Sequence, residues 1–287
     1  MKRNLAGRLL DGIKRHGFRL CIIIGISRIL GIKSEVQRVK DRVTALLEAI
    51  HGRRVAYGPF EGMLLGEQPW WAPNDKIPQL LGVYEEHVAR RLLDLSARNV
   101  DHFIDVGAAD GYFCVGLAKS RCFERVTAFE ISMQGQAAIR SNAIVNGCEA
   151  RIDVRGVASA ESLSAVLCEN EAAVILVDIE GGEYALLDSR LLRALAHCHI
   201  IIELHPWTQP DGVQSTADLA ERARDFFRVT IFGRDRYCPD DFDELAHLPD
   251  EERLIVLGEG RPERMNWMYL EPRESSATGG GDAAVTA

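Results

Sequence analysis

Scarcity narrows the reading of this chain first. Aromatic residues fill only 7% of its 287 positions. Its seven cysteines, at 21, 114, 122, 148, 168, 198 and 238, are odd in number, scattered and without a C-x-x-C pair. Zinc ribbons and disulfide frameworks need tighter spacing, so both are excluded. Cysteines inside apolar runs read as small buried hydrophobes of a reducing compartment, which points to the cytoplasm. No uninterrupted apolar run approaches the ~20 residues of a bilayer span. Arg19 and Arg28 enclose just eight uncharged residues, with no A-x-A-like cleavage site after them, so this stretch is not a signal peptide. It reads as a helix with an apolar face and basic flanks, suited to a membrane surface, a second subunit or the protein's own body.

What is present is a globular composition, 47% hydrophobic and 26% charged, which excludes collagen-like and wholly disordered chains. A chain of this length buries roughly 70–75% of its unfolded surface and needs no staples. The net charge of −8 hides a division. Residues 1–55 hold 13 Lys+Arg against 4 Asp+Glu, net +9, and the remainder holds 21 against 38, net −17.

Val36, Val39, Val43, Leu46, Leu47 and Ile50 recur at three- and four-residue spacing, predicting an amphipathic helix over 35–51 that ends at Gly52. Residues 54–66 alternate between glycine-rich turns and predict short strands or a hairpin; 69–78, with Trp70 and Trp71, read as loop; 79–97 read as one helix. A new rhythm then begins, with short apolar runs at 100–106, 125–130, 151–154, 172–178, 198–204 and 228–233. Helical stretches at 111–120, 132–146, 182–196 and 216–227 separate most of them. That alternation predicts an α/β fold, a doubly wound, mostly parallel, Rossmann-like sheet with a helical N-terminal extension. Residues 254–257 and 265–269 suggest an antiparallel pair at one edge. The expected organisation is a basic extension over 1–54, a catalytic domain over 55–271 and a disordered tail over 272–287.

Ligands of open α/β sheets bind beyond the carboxyl ends of the strands, so the chemistry is sought there. The first strand ends in Asp105-Val-Gly-Ala-Ala-Asp-Gly-Tyr112, where Gly107 and Gly111 permit a tight turn and close approach of a ligand. The second ends in Glu130, nineteen residues after Gly111, placed to accept hydrogen bonds from the hydroxyls of a ribose. A dinucleotide-binding turn wants glycine where Ala109 stands, and Asp105 and Asp110 suit a cationic ligand better than a phosphate. S-adenosylmethionine (SAM) is such a ligand. The fourth strand ends in Asp178-Ile-Glu-Gly-Gly-Glu183 and the fifth in Glu203-Leu-His205. Neighbouring strands would bring Asp178, Glu180, Glu203 and His205 together, making His205 a candidate general base.

The segments Leu81-Gly-Val-Tyr-Glu85, Ile104–Phe113, Glu130, Val177–Glu183 and Ile202–His205 together resemble the FkbM-type class I methyltransferases, over roughly residues 55–235. The Asp178-Ile-Glu-Gly-x-Glu183 segment is the most specific part, supported by Gly82-x-Tyr84-Glu85. The family often has Asn where Asp110 stands. The resemblance implies SAM-dependent methyl transfer, usually to oxygen, with glycan sugars or small metabolites as acceptors. Asp105, Gly107, Ala108, Ala109, Asp110, Gly111 and Tyr112 would cradle the methionine part, with Tyr84 and Glu85 joining the cofactor set. Glu130 would hold the ribose, Val157 and Ala158 would flank the adenine, and Asp178 would face the transferring methyl group. Catalysis would fall to His205, Glu180 and Asp178, positioning doing most of the work and no metal taking part. Mg²⁺ held by Asp178 with Glu180 or Glu203 is the competing device. A nicotinamide-dependent oxidoreductase and a non-catalytic cofactor-fold module are the other functional classes. The acidic body argues against nucleic acid, and the basic extension is left for membrane-surface or self-association.

Overall fold

The structure is a computed structural model and describes residues 34–66, 75–98, 100–168, 171–233, 237–259 and 263–273. The basic stretch before Ser34, Trp70 and Trp71, and the tail after Arg273 lie outside the described residues.

Seven strands form one sheet in the order β3-β2-β1-β4-β5-β7-β6. They are β1 His102–Val106, β2 Arg125–Phe129, β3 Ile152–Arg155, β4 Ala173–Val177, β5 His199–Leu204, β6 Phe227–Gly233 and β7 Asn266–Pro272. Strands β1 to β5 run parallel, while β7 lies antiparallel between β5 and β6. This is the doubly wound, mostly parallel sheet that the alternation of runs predicts. Its central strands are apolar on both faces. Phe103, Val174, Leu176 and Ile201 enter one core, and Ile104, Ile175, Val177, Ile200 and Ile202 enter the other.

The first core is covered by α1 (Glu35–His51), α2 (Lys76–Leu81), α3 (Glu86–Ser96), α4 (Tyr112–Ser120) and α5 (Met133–Val145). The second is covered by α6 (Ala160–Val166), α7 (Glu183–Leu186), α8 (Ser189–Ala194) and α9 (Gly212–Arg224). Helix α1 has the predicted bounds: the Ser34 hydroxyl accepts from the Gln37 amide at 3.2 Å, a cap worth about 1 kcal/mol, and Gly52 closes it in the left-handed conformation. Its apolar side, Val39, Val43 and Leu47, is buried in the same core as the sheet. Two of its basic residues also tie it to the rest of the domain, one buried and one at the surface. Lys40 is buried and donates to the Gly258 carbonyl at 2.6 Å, and Arg42 pairs with Glu252.

Several expectations are corrected. Residues 79–97 form two helices: α2 starts at Lys76, inside the expected loop, and the chain breaks at Gly82 (φ 76°) and Glu85 (φ 43°) before α3. The predicted helix over 182–196 divides into α7 and α8, because the Asp188 side chain accepts from the Leu191 amide and starts a new helix. The expected hairpin at 54–66 reduces to one bridge between Arg54 and Leu64, with the Asn146 amide clasping both backbone groups of Leu64 at 2.9 Å.

Residues 254–257 do not pair with 265–269. They belong largely to α10 (Asp250–Val256), whose first turn carries Asp250, Glu251 and Glu252 against the positive end of the helix dipole. Strand β7 is no edge strand either, because Trp267 and Tyr269 enter one core and Met268 and Leu270 the other. A strand apolar on both faces belongs inside a sheet; β6, with exposed Arg228 and Thr230, forms the edge. Of the six described cysteines, all free, Cys114, Cys148 and Cys198 are buried as expected, whereas Cys168 and Cys238 are exposed. Among the described residues no helix is long and apolar enough to cross a membrane.

Gly82 gives a direct test of the break between α2 and α3. A Cβ there would lie 1.8 Å from the Tyr57 carbonyl oxygen on a left-handed backbone. The left-handed conformation alone costs an L-residue roughly 1–2 kcal/mol, and the overlap with backbone adds to it. Gly82→Ala is therefore expected to destabilise the protein by at least ~2 kcal/mol in urea denaturation; an unchanged midpoint would contradict this role.

Candidate functional site

The chain runs from β1 outward to β2 and β3, then returns to lay β4 on the other side of β1. The reversal opens a crevice between the carboxyl ends of β1 and β4. Gly107 makes the approach of these two ends possible: at φ 97°, a Cβ on it would lie 1.7 Å from the Asp178 carbonyl oxygen. The Asp178 amide donates to the Val106 carbonyl at 2.9 Å, locking the two turns side by side. A cleft of about 420 Å³ occupies the crevice. That is room for one nucleoside-sized ligand.

Three carboxylates define one end of this cleft. Asp105 is buried, lines the cleft, and has an Oδ2 without a hydrogen-bond partner. Burial pushes its carboxyl up to about 7; the Cys114 amide pulls down and Glu130 adds to the rise. Asp110 is pushed up to about 6 by burial, against the pull of Lys76. Glu130, buried at the end of β2, accepts from the Ala109 amide at 3.0 Å through Oε2 and from the Ser132 amide at 2.7 Å through Oε1. Each of its oxygens retains a lone pair for a ligand hydroxyl. Aromatic rings also line the cleft: Tyr84 and Tyr112 meet edge to face at 5.2 Å, and Phe113 lies 6.2 Å from Tyr84.

A second acidic group surrounds His205 at the ends of β4 and β5. Glu183, fully buried, accepts from the His205 amide at 3.0 Å, from the Gly181 amide at 2.8 Å, and meets His205 Nδ1 at 3.2 Å. Around Nε2 stand Glu203 at 3.4 Å, Asp178 at 3.6 Å and Glu180 at 3.7 Å. Burial works against charge on the imidazole, but the carboxylates of Glu183 and Glu203 outweigh it and push His205 up to about 10. Such an imidazolium keeps its proton at neutral pH and is a poor general base.

Of the residues expected from sequence, the cleft gathers Tyr84, Asp105, Gly107, Ala108, Ala109, Asp110, Tyr112, Glu130, Val157, Ala158, Asp178 and Glu180. Three stand back from it. Glu85 is buried behind Tyr84 in the break before α3, Gly111 lines a smaller neighbouring crevice, and His205 is buried behind Asp178. Sequence reasoning missed Asp75, Gln79, Phe113, Ile131 and Ile179, which also line the cleft. Asp75 falls in the expected loop at 69–78; it precedes the first turn of α2 without a capping bond from its side chain, and it lines the cleft. Ile131 and Val157 are conspicuous because they are exposed at 75% and 63% on the rim. No one-dimensional signal marks Gln79, which reaches the cleft only because α2 packs over the switch point.

No family model matches the chain, and no curated protein matches it. Among solved structures it is similar to the O-methyltransferase TomG from Streptomyces achromogenes, crystallised with SAM, at 14% identity and TM-score 0.45, over 74% of this chain and 93% of that one. The O-methyltransferase from Bacillus cereus, crystallised with S-adenosylhomocysteine (SAH), aligns at 14% identity and TM-score 0.43 over 86% and 96% of the respective chains. WbdD aligns at 22% identity and TM-score 0.44, over 68% of this chain and 42% of its own.

The Asp105 carboxyl couples pH to stability. Folding raises it from 3.8 to about 7, so the folded state holds its proton more tightly than the unfolded state. Stability therefore falls as pH rises from about 4 to about 7, and the deficit persists above that window. Asp105→Asn is expected to raise the thermal midpoint of the ligand-free protein at pH 8 and to leave it nearly unchanged at pH 4. An equal shift at both pH values would contradict the assignment.

Proposed function

We propose that the chain is a SAM-dependent O-methyltransferase of FkbM type, acting on a hydroxyl of a glycan sugar or small metabolite. The observation that carries this reading is Asp105, a buried carboxylate with an unpartnered oxygen in the wall of a nucleoside-sized cleft. Ionising it there is costly, and a cationic ligand offsets that cost. SAM presents both an ammonium and a sulfonium, whereas the phosphates of a nicotinamide dinucleotide would meet Asp105, Asp110 and Glu130 as like charges.

The remaining residues support the same ligand. Glu130 has lone pairs for the two ribose hydroxyls, and Ile131 and Val157 offer apolar rims to a flat base. Tyr84, Tyr112 and Phe113 exclude water from the methionine end. When bound, SAM supplies a methyl group already activated on sulfur. The chain's task is to align an acceptor oxygen with that methyl group and receive its proton. Glu180 lines the cleft, half exposed, and takes that proton in this reading. Asp178, one face in the cleft, orients the acceptor hydroxyl, and His205 holds both carboxylates in place from behind.

Titration calorimetry with SAM, SAH and NADH tests the proposal: binding is expected for the first two alone, and tighter binding of NADH would sink it. At pH 6.5, SAM binding should release protons, because the cation draws Asp105 back toward its ordinary pKa, and the release should vanish near pH 9. Asp105→Asn is expected to weaken SAM at least tenfold at pH 8, and Glu180→Gln to lower kcat while leaving SAM affinity within twofold.

A further inference from the structure

We infer that Asp178, Glu203 and His205 form a divalent metal site at the floor of the cleft. The sequence alone favours a metal-free reaction; the geometry points the other way. One oxygen of each carboxylate and Nε2 of the imidazole lie within 4.8 Å of one another. Nε2 stands 3.4 Å from Glu203 and 3.6 Å from Asp178. Ligands on metal bonds of ~2.1 Å lie about 3.0 Å apart in an octahedron and about 3.4 Å apart in a tetrahedron, so little movement is needed to close on an ion.

Nε2 is the second, independent observation. His205 is 1% exposed, and its Nε2 faces the two carboxylates with no partner closer than Glu203 at 3.4 Å. The other ring nitrogen is held by Glu183, fully buried and itself fixed by the amides of His205 and Gly181. An ion that displaces the Nε2 proton, while the Nδ1 proton stays hydrogen-bonded to Glu183, would meet an Nε2 lone pair directed at the cluster. Metal-ligating histidines carry this carboxylate partner as a rule. Glu180, 3.7 Å from Nε2, adds a further oxygen at the cleft side.

Charge points the same way. Glu183 and Glu203 are both fully buried, and Asp178 and Glu180 stand beside them. Four carboxylates gathered about one imidazole, two of them fully buried, are a donor set that suits a dication. A nitrogen-and-oxygen donor set favours a transition ion such as Mn²⁺ over Mg²⁺, which prefers oxygen throughout. Asp178 lines the cleft, so the ion would lie beside the place for the acceptor oxygen and lower that hydroxyl's pKa. This last role rests on the methyltransferase reading; the metal site does not.

Titration of chelator-stripped, full-length protein with Mn²⁺, followed by electron paramagnetic resonance, is expected to saturate at one ion per chain. Mg²⁺ should compete at least tenfold more weakly. Glu203→Gln and Asp178→Asn should each weaken Mn²⁺ at least tenfold, and Glu183→Gln roughly 10–100-fold. Circular dichroism and a urea midpoint establish that each variant is folded; should Glu203→Gln not fold, Asp178→Asn at the cleft surface carries the test. Absence of saturable Mn²⁺ binding, or binding unchanged in a folded Asp178→Asn, overturns the site. Calorimetry of the metal-free protein with SAM reports separately: failure there with Mn²⁺ binding intact removes the cofactor reading and leaves the metal site standing.

Discussion

The approach of β4 to the turn after β1 is the constraint on which the rest of the site depends. Gly107 has no side chain because the Asp178 carbonyl occupies the place a Cβ would take, 1.7 Å away. The Asp178 amide then bonds to Val106, and the two turns advance together past the edge of the sheet. Asp105 and Asp110 are thereby presented on one side of the crevice and Asp178 and Glu180 on the other, with a ligand-sized space between them. Any side chain at 107 would push these turns apart and disperse the carboxylates.

Gathering acids at one edge of a sheet costs folding energy, and the protein meets that cost in two ways. Around Asp105 and Asp110 burial raises the carboxyls into the range of neutrality, which leaves them ready to ionise against a cation. Around His205 the acids face both ring nitrogens of one imidazole, which Glu183 and Glu203 push up to about 10. The two groups touch through Asp178, which belongs to the cleft and to the histidine cluster at once. A ligand in the cleft and a cation in the cluster would therefore share one carboxylate.

The division of charge along the chain takes on a different meaning in this light. Of the acids in the body, Asp105, Asp110, Glu130, Asp178, Glu180, Glu183 and Glu203 converge at strand ends, although they are a minority of the 38 acids after residue 55. The basic segment is partly structural: Lys40 is buried on the Gly258 carbonyl and Arg42 pairs with Glu252, so these two charges join α1 to the C-terminal part of the domain.

Local chemistry determined a good deal of this protein. Helix α1 could be read to the residue because Ser34 and Gly52 bracket an uninterrupted apolar stripe. Strands β1, β2, β4 and β5 could be read because doubly buried strands are short apolar runs, and their terminal acids stand out because packing does not call for charge there. Tertiary structure decided what depends on neighbours. It placed β7 inside the sheet, since a strand apolar on both faces must be covered on both. It divided two expected helices, since the Gly82 backbone packs against Tyr57 and Asp188 caps a new start. It also drew Asp75 and Gln79 into the cleft and withdrew Glu85 and His205 from it. Periodicity along a chain records which face is buried; which charged groups lie beside one another across strands 25 to 71 residues apart is settled only when the sheet closes its register.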